Sequence, residues 1–167
     1  MSRLTIIVIA IASLLIVGVA LCAAGAISPV KAQPTTDVER VNAANQVFAS
    51  AVETRDIGEM DNVWAHVPYA TFIGPLSTVV VVGWDGVRKA WEMRFGQFNK
   101  VTITATEPHV HTNGKVAWVV GMERVQLLRK DGKTLAFEAF VTNVFENHDG
   151  RWLLVSHQAT PMFSEGK

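Results

Sequence analysis

Hydrophobic and polar positions follow two rhythms along this chain, and the change falls near residue 100. From Thr36 onward, apolar residues recur at helical spacing. Val41, Ala44, Phe48, Ala51 and Val52 share one stripe, and Thr36 and Glu39 have capping-box spacing, so a first helix is expected to run to Arg55. Asp56 and Glu59 open a shorter second helix with Met60, Val63 and Trp64 on its apolar side. "ATFIGP" reads as a short strand and "STVVVVG" as extended chain. A third helix starts near Trp84 or Asp85 and turns Val87, Ala90, Trp91 and Phe95 inward.

Beyond it the period drops to two. Four β-rich runs, starting near Val101, Lys115, Lys133 and Arg151, are separated by Asn113-Gly114, Asp131-Gly132 and Asp149-Gly150, pairs that supply the positive φ angles of tight hairpins. Helices followed by a four-stranded meander give an α+β fold, and three helices cannot cover both faces of such a sheet. If both Asp-Gly turns are two-residue loops, one face carries the rows Val119, Val144, Val155; Gly121, Thr142, His157; and Glu123, Phe140, Ala159. The other face carries Trp118, Phe145, Leu154; Val120, Asn143, Ser156; and Met122, Val141, Gln158. Only the first face sets a missing side chain, at Gly121, beside an imidazole, a hydroxyl and a carboxylate, as a ligand cavity requires. A bulge in either hairpin would swap the faces.

The N-terminus follows neither rhythm. Leu4 to Ala26 is uncharged for 23 residues, long enough to span a bilayer and also suited to the apolar region of an export signal. Small-residue cleavage patterns follow at Ala24-Gly25-Ala26 and Val30-Lys31-Ala32. Residues 1–32 are therefore expected to be a signal peptide, or alternatively a membrane-anchor helix, with linker, and residues 33–167 one domain. Export to the periplasm or medium after cleavage is the expectation, with anchoring through residues 4–26 as the alternative. Cys22 is the only cysteine, which excludes disulfides and a thiol nucleophile from the domain. Without Arg3 and Lys31 the remaining 13 basic residues face 15 acidic ones, a net charge of −2, with no basic stripe for nucleic acid.

The order of elements, with "DIGEMDNVWAH", "VVGWDGVRKAWEMRF" and "TNVFENHDGRWLLVSHQATP", resembles the SnoaL-like branch of the nuclear transport factor 2-like superfamily over residues 38 to 163. The resemblance implies a cone: three helices packed in the concavity of a curved antiparallel sheet, a pocket inside, and dimerisation through the outer face. It says little of function, because members include isomerases, cyclases, hydrolases, dehydratases and non-catalytic assembly domains. The ketosteroid-isomerase branch needs a carboxylate base, a tyrosine donor and a protonated aspartate at positions that here look like Gly74, Phe48 and Thr142. All three are replaced, so that route of proton abstraction is not expected.

His157 is the candidate catalytic group, as acid, base or ligand hydrogen-bond partner, against a structural histidine satisfied by Thr142 or a backbone carbonyl. Glu123 is either its partner, a buried carboxylate of raised pKa, or half of a salt bridge at the rim. Thr142, Trp64 and Trp91 are expected along the ligand and Tyr69 and Trp84 at the pocket mouth, with core packing the competing reading for Trp64 and Trp91. Trp118 and Trp152 fall on the opposite face. His109 and His111 alternate on a strand, but no third ligand accompanies them, and no metal or cofactor is expected. The reading is a domain that binds a small, mostly apolar molecule, with acid–base catalysis at His157 left open. The rival is a non-catalytic, dimeric assembly module of the cell envelope.

Two outcomes are expected. N-terminal sequencing of exported protein should begin at Gln33 or Ile27, and recovery solely from membranes with Met1 or Ser2 intact would reject cleavage. Light scattering on residues 33–167 should give a homodimer; a stable, soluble monomer at micromolar concentration would contradict the expected cover for the second sheet face.

Overall fold

The computed structural model describes residues 36–162; the expected signal or anchor helix lies outside them. Three helices, α1 (Asp37–Thr54), α2 (Ile57–Val63) and α3 (Trp84–Phe95), pack into the concavity of a curved six-stranded sheet. The strands are β1 (Thr71–Ile73), β2 (Val81–Val82), β3 (Phe98–Thr112), β4 (Val116–Arg129), β5 (Thr134–His148) and β6 (Arg151–Pro161), in the order β2-β1-β6-β5-β4-β3. Thr36 caps α1 as expected: its hydroxyl accepts from the Glu39 N–H at 3.2 Å, and its own N–H donates to the Glu39 carboxylate at 3.0 Å. Arg55 ends the helix in the left-handed region, and Asp56 starts α2 by accepting from Gly58 and Glu59.

Two expectations about the strands change. The sheet is not wholly antiparallel, because β1 runs parallel to β6. "STVVVVG" contributes only Val81 and Val82 to the sheet, leaving Val79 and Val80 exposed in the preceding loop.

The register explains where the sequence count fails. At Asp149-Gly150 both residues have positive φ, the two-residue turn assumed, and His148 lies opposite Arg151. Asp131 does not adopt positive φ. Only Gly132 does, so the same dipeptide closes a three-residue loop in which the Arg129 N–H donates to the Lys133 carbonyl at 2.8 Å. This slips β4 against β5 by one residue. A second slip comes from a bulge in β6, where Phe145 faces Leu154 but Val144 faces Ser156, leaving Val155 as the extra residue.

The two slips swap β5 and the part of β6 that precedes the bulge. Ala139, Val141, Asn143 and Phe145 face the helices, while Phe140 and Thr142 lie on the convex side. Beyond the bulge the errors cancel between β4 and β6, and Val119, Glu123, His157 and Ala159 are on the concave face as counted. Phe145, Leu154 and Trp152 are therefore core residues rather than part of the second face. That face keeps Trp118, Val120 and Phe140 exposed.

Gly121 also has a different reason from the one expected. A Cβ there would lie 3.3 Å from the Thr106 carbonyl oxygen and 3.4 Å from the Pro108 Cα. The missing side chain makes room for the bulge of β3 between Thr106 and His109, where Glu107 has φ 47°.

Candidate functional site

The helices fill the cone incompletely. Between α1, α3, the 75–79 loop and the concave sheet lies a cavity of about 430 Å³, walled mainly by Phe48, Phe72, Trp91, Phe95, Val125 and Phe137. Four ionisable side chains reach its lining: Arg94, Glu123, Arg129 and His157.

His157 lies in an aromatic slot. Its ring stacks on Phe72 at 5.5 Å and 15°, with Phe48 at 5.1 Å and Trp91 at 6.1 Å. Its Nδ1 is 2.7 Å from Asn143 Oδ1, and the Asn143 amide nitrogen donates to Asn45 Oδ1 on α1, also at 2.7 Å. With the amide oriented this way Nδ1 carries the proton and donates, so Nε2 is the ring's acceptor. Burial, and secondarily the charge of Arg94, push the imidazole down to about 3. Held neutral around pH 7, the ring offers Nε2 as a hydrogen-bond acceptor. Asn143 takes the satisfying role that the sequence count gave to Thr142.

Glu123 is 9% exposed on β4, opposite Ala139, and burial pushes its carboxyl up to about 7. Among the described residues no salt bridge holds it, so the buried carboxylate of raised pKa is the reading that fits.

Of the other expected contacts, Trp91 lines the cavity, and Trp64, Trp84, Tyr69 and Thr142 do not. Trp64 is buried beneath Phe48 in the core. Trp84 is buried with its ring stacked 4.6 Å from His66. Tyr69 is 53% exposed and donates its hydroxyl to Glu146 at 2.9 Å, which raises the phenol's pKa. His111 packs on Trp118, and among the described residues no three metal-binding side chains converge.

The residue the sequence reading missed is Arg94. It follows Val87, Ala90 and Trp91 on the inward stripe of α3, and that 3–4 spacing is the signal that could have found it. Its guanidinium lies 4.8 Å over the Phe72 ring and donates to Ser77 Oγ at 3.0 Å. A Cβ at Gly74 would collide with this group. The position resembling the isomerase base is thus empty because a cation fills its space.

The model of the SnoaL-like domain family matches residues 41–164. Among solved structures, a dehydratase candidate of the NTF2-like family from Streptomyces avermitilis is 24% identical with TM-score 0.71, covering 78% of this chain and all of that one. An NTF2-like superfamily protein from Salmonella enterica serovar Typhimurium is 17% identical with TM-score 0.70, covering 77% and 92%. An aromatic ring hydroxylase candidate from Novosphingobium aromaticivorans is 18% identical with TM-score 0.70, covering 80% and 94%. At these identities the likeness is one of fold. Comparison with curated proteins finds no match.

The opposite pKa shifts of Glu123 and His157 give a test. Glu123 has a folded-state pKa of about 7 against an ordinary 4.5, so its contribution to stability is fully present below pH 4.5 and lost as pH rises to 7. His157, lowered from 6.5 to about 3, contributes stability above pH 6.5 that is lost as pH falls. Glu123→Gln is therefore expected to match the parent near pH 4.5 and to exceed it above pH 7, by at most ~3 kcal/mol. Denaturant unfolding across pH 4.5–8 measures this, and parallel curves would mean that Glu123 is not a buried, uncompensated carboxyl.

Proposed function

The chain belongs to the SnoaL-like domain family, and from that premise we propose that its domain binds a small, mostly apolar molecule inside the cone. The observation that carries this reading is the cavity of about 430 Å³, whose aromatic and aliphatic wall is interrupted by a few convergent polar groups. A domain serving only assembly has no need to leave that volume unfilled, since each unfilled methyl-sized space in a core costs about 1 kcal/mol. Within the cavity His157 is suited to accept a hydrogen bond from the ligand through Nε2. Acid–base chemistry near neutral pH is better matched to Glu123, whose proton affinity lies there, than to His157.

We further propose that the domain is exported, or tethered through residues 4–26, and works as a homodimer. The convex face, with Trp118, Val120 and Phe140 exposed, supports dimerisation.

Native mass spectrometry of protein purified from its own host is expected to show a small-molecule adduct that denaturation releases. A bare mass in every preparation, together with no measurable uptake of 1-octanol, would overturn the reading. His157→Ala should weaken binding of a captured molecule by about 1–3 kcal/mol. It should also lower stability, because it strands Asn143 Oδ1 in the core. Lost stability with unchanged binding would leave His157 as a core hydrogen-bonding residue only.

A further inference from the structure

Arg94 makes sense only in part as a structural residue. Its stem belongs to the packed stripe of α3, and its guanidinium is held by Phe72 and Ser77. A neutral hydroxyl and a ring face leave the charge itself unneutralised. No carboxylate among the described residues lies within ion-pair distance of it: the arginines that pair are Arg40, Arg88, Arg124 and Arg129, each with acidic partners at the surface. Glu123, the cavity's own carboxyl, forms no pair with it. A guanidinium presents five donors, and Ser77 occupies one.

We infer that Arg94 is the anchor for a carboxylate on the ligand, so that the molecule bound in the cone is an apolar monocarboxylic acid, with its acid group on the guanidinium and its hydrocarbon or ring system against Phe48, Trp91 and Phe137. This rests on the ligand-binding reading proposed above. Three features point to a single carboxylate. The planar fork matches a carboxylate in bidentate fashion. Most of the remaining wall is apolar, and Glu123, the carboxyl on it, is held toward its protonated form by burial, which suits one charged end and a hydrophobic body. The only other cation on the lining, Arg129, is half exposed and has Asp131 at 3.6 Å, so the enclosed part offers one positive charge, too little for a phosphate monoester. Partial burial lowers the pKa of Arg94, in keeping with a half-buried charge that has no counter-ion beside it. His157, neutral and beside it, adds no repulsion and leaves Nε2 to accept from a second polar group of the ligand.

Octanoate and 1-octanol, equal in chain length and differing in charge, separate this inference from the reading it rests on. Isothermal titration of the purified full chain at neutral pH should show octanoate binding roughly ten- to a hundredfold more tightly than 1-octanol, the range of a charge-assisted hydrogen bond. Arg94→Gln should remove that preference while 1-octanol affinity changes by less than about threefold, and Arg94→Lys should restore part of it by keeping the charge without the fork. Equal affinity of the parent for the two probes would overturn the carboxylate inference and leave the apolar pocket standing. An equal loss of both probes in folded Arg94→Gln, with 1-octanol still bound by the parent, would also overturn it, and would mark Arg94 as a wall residue. Binding of neither probe to the parent would remove the ligand-binding reading itself. The parent comparison needs no variant, so the inference stays falsifiable if substitution at Arg94 prevents folding.

Discussion

The geometry of the site hangs on one extra residue in the last strand. Without the bulge at Val155, strict alternation in β6 could not bury Trp152 and Leu154 at one end and His157 and Ala159 at the other on the same concave face. The bulge is fixed from outside the sheet. The chain leaving α2 bridges to Leu154 through Trp64, and the Ala65 N–H donates to the Leu154 carbonyl at 2.9 Å. A backbone carbonyl at the bulge thus finds a partner in a helix end, and the imidazole three residues on is turned toward Asn143. Before the bulge β6 contributes Trp152 and Leu154 to the packed core, and beyond it the strand contributes His157 and Ala159 to the cavity.

Electrostatics inside that floor run opposite to the isomerase pattern which the family resemblance brings to mind. There a carboxylate acts as base against neutral donors. Here the matching position is glycine, and the space a side chain would take is filled by the Arg94 guanidinium. Burial favours the protonated form of Glu123 and holds His157 uncharged, so the Arg94 guanidinium is the dominant charge among these groups. The same burial that makes the site apolar produces all three states. It raises the acid, lowers the imidazole and leaves the guanidinium, whose ordinary pKa is far above neutrality, as the one group that cannot shed its charge.

The fold was legible in the chain to the extent that local rules determine it. The capping box at Thr36 and Glu39, the inward stripes of the helices and the hairpin at Asp149-Gly150 all form as their residues dictate. Register was legible only where turn chemistry has one solution. Asp131-Gly132 can close a two- or a three-residue loop, and the difference moved Asn143 into the core and Thr142 out of it. The bulge in β6 depends on the Ala65–Leu154 contact across 89 residues of chain, which no local pattern encodes. Past the bulge the two one-residue slips cancel between β4 and β6, so Glu123 and His157 fall on the counted face although the strand between them does not. Trp64 and Trp84 show the limit of residue type as a guide: both are aromatic, near the cone and buried, yet both serve the core. At Arg94 the inward 3–4 spacing competes with the ordinary role of a basic residue in the last turn of a helix.

Stability and binding are coupled in such a design. The helices approach the sheet closely where Val41, Phe48 and Met60 meet Phe145 and Leu154, all 2% exposed or less. They stand away from it over the cavity, where contacts that a filled core would make are absent. A ligand that enters supplies those contacts and a counter-charge to Arg94 at once, so it binds the folded chain and not the unfolded one and stabilises the fold by mass action. The apolar rim of Leu76, Val79 and Met93, all exposed beside the cavity, is unfavourable in water for the same reason that it suits an apolar body passing inward. What weakens the empty domain is therefore what makes the occupied one specific: an unfilled, mostly apolar volume with a single unpaired cation at its wall.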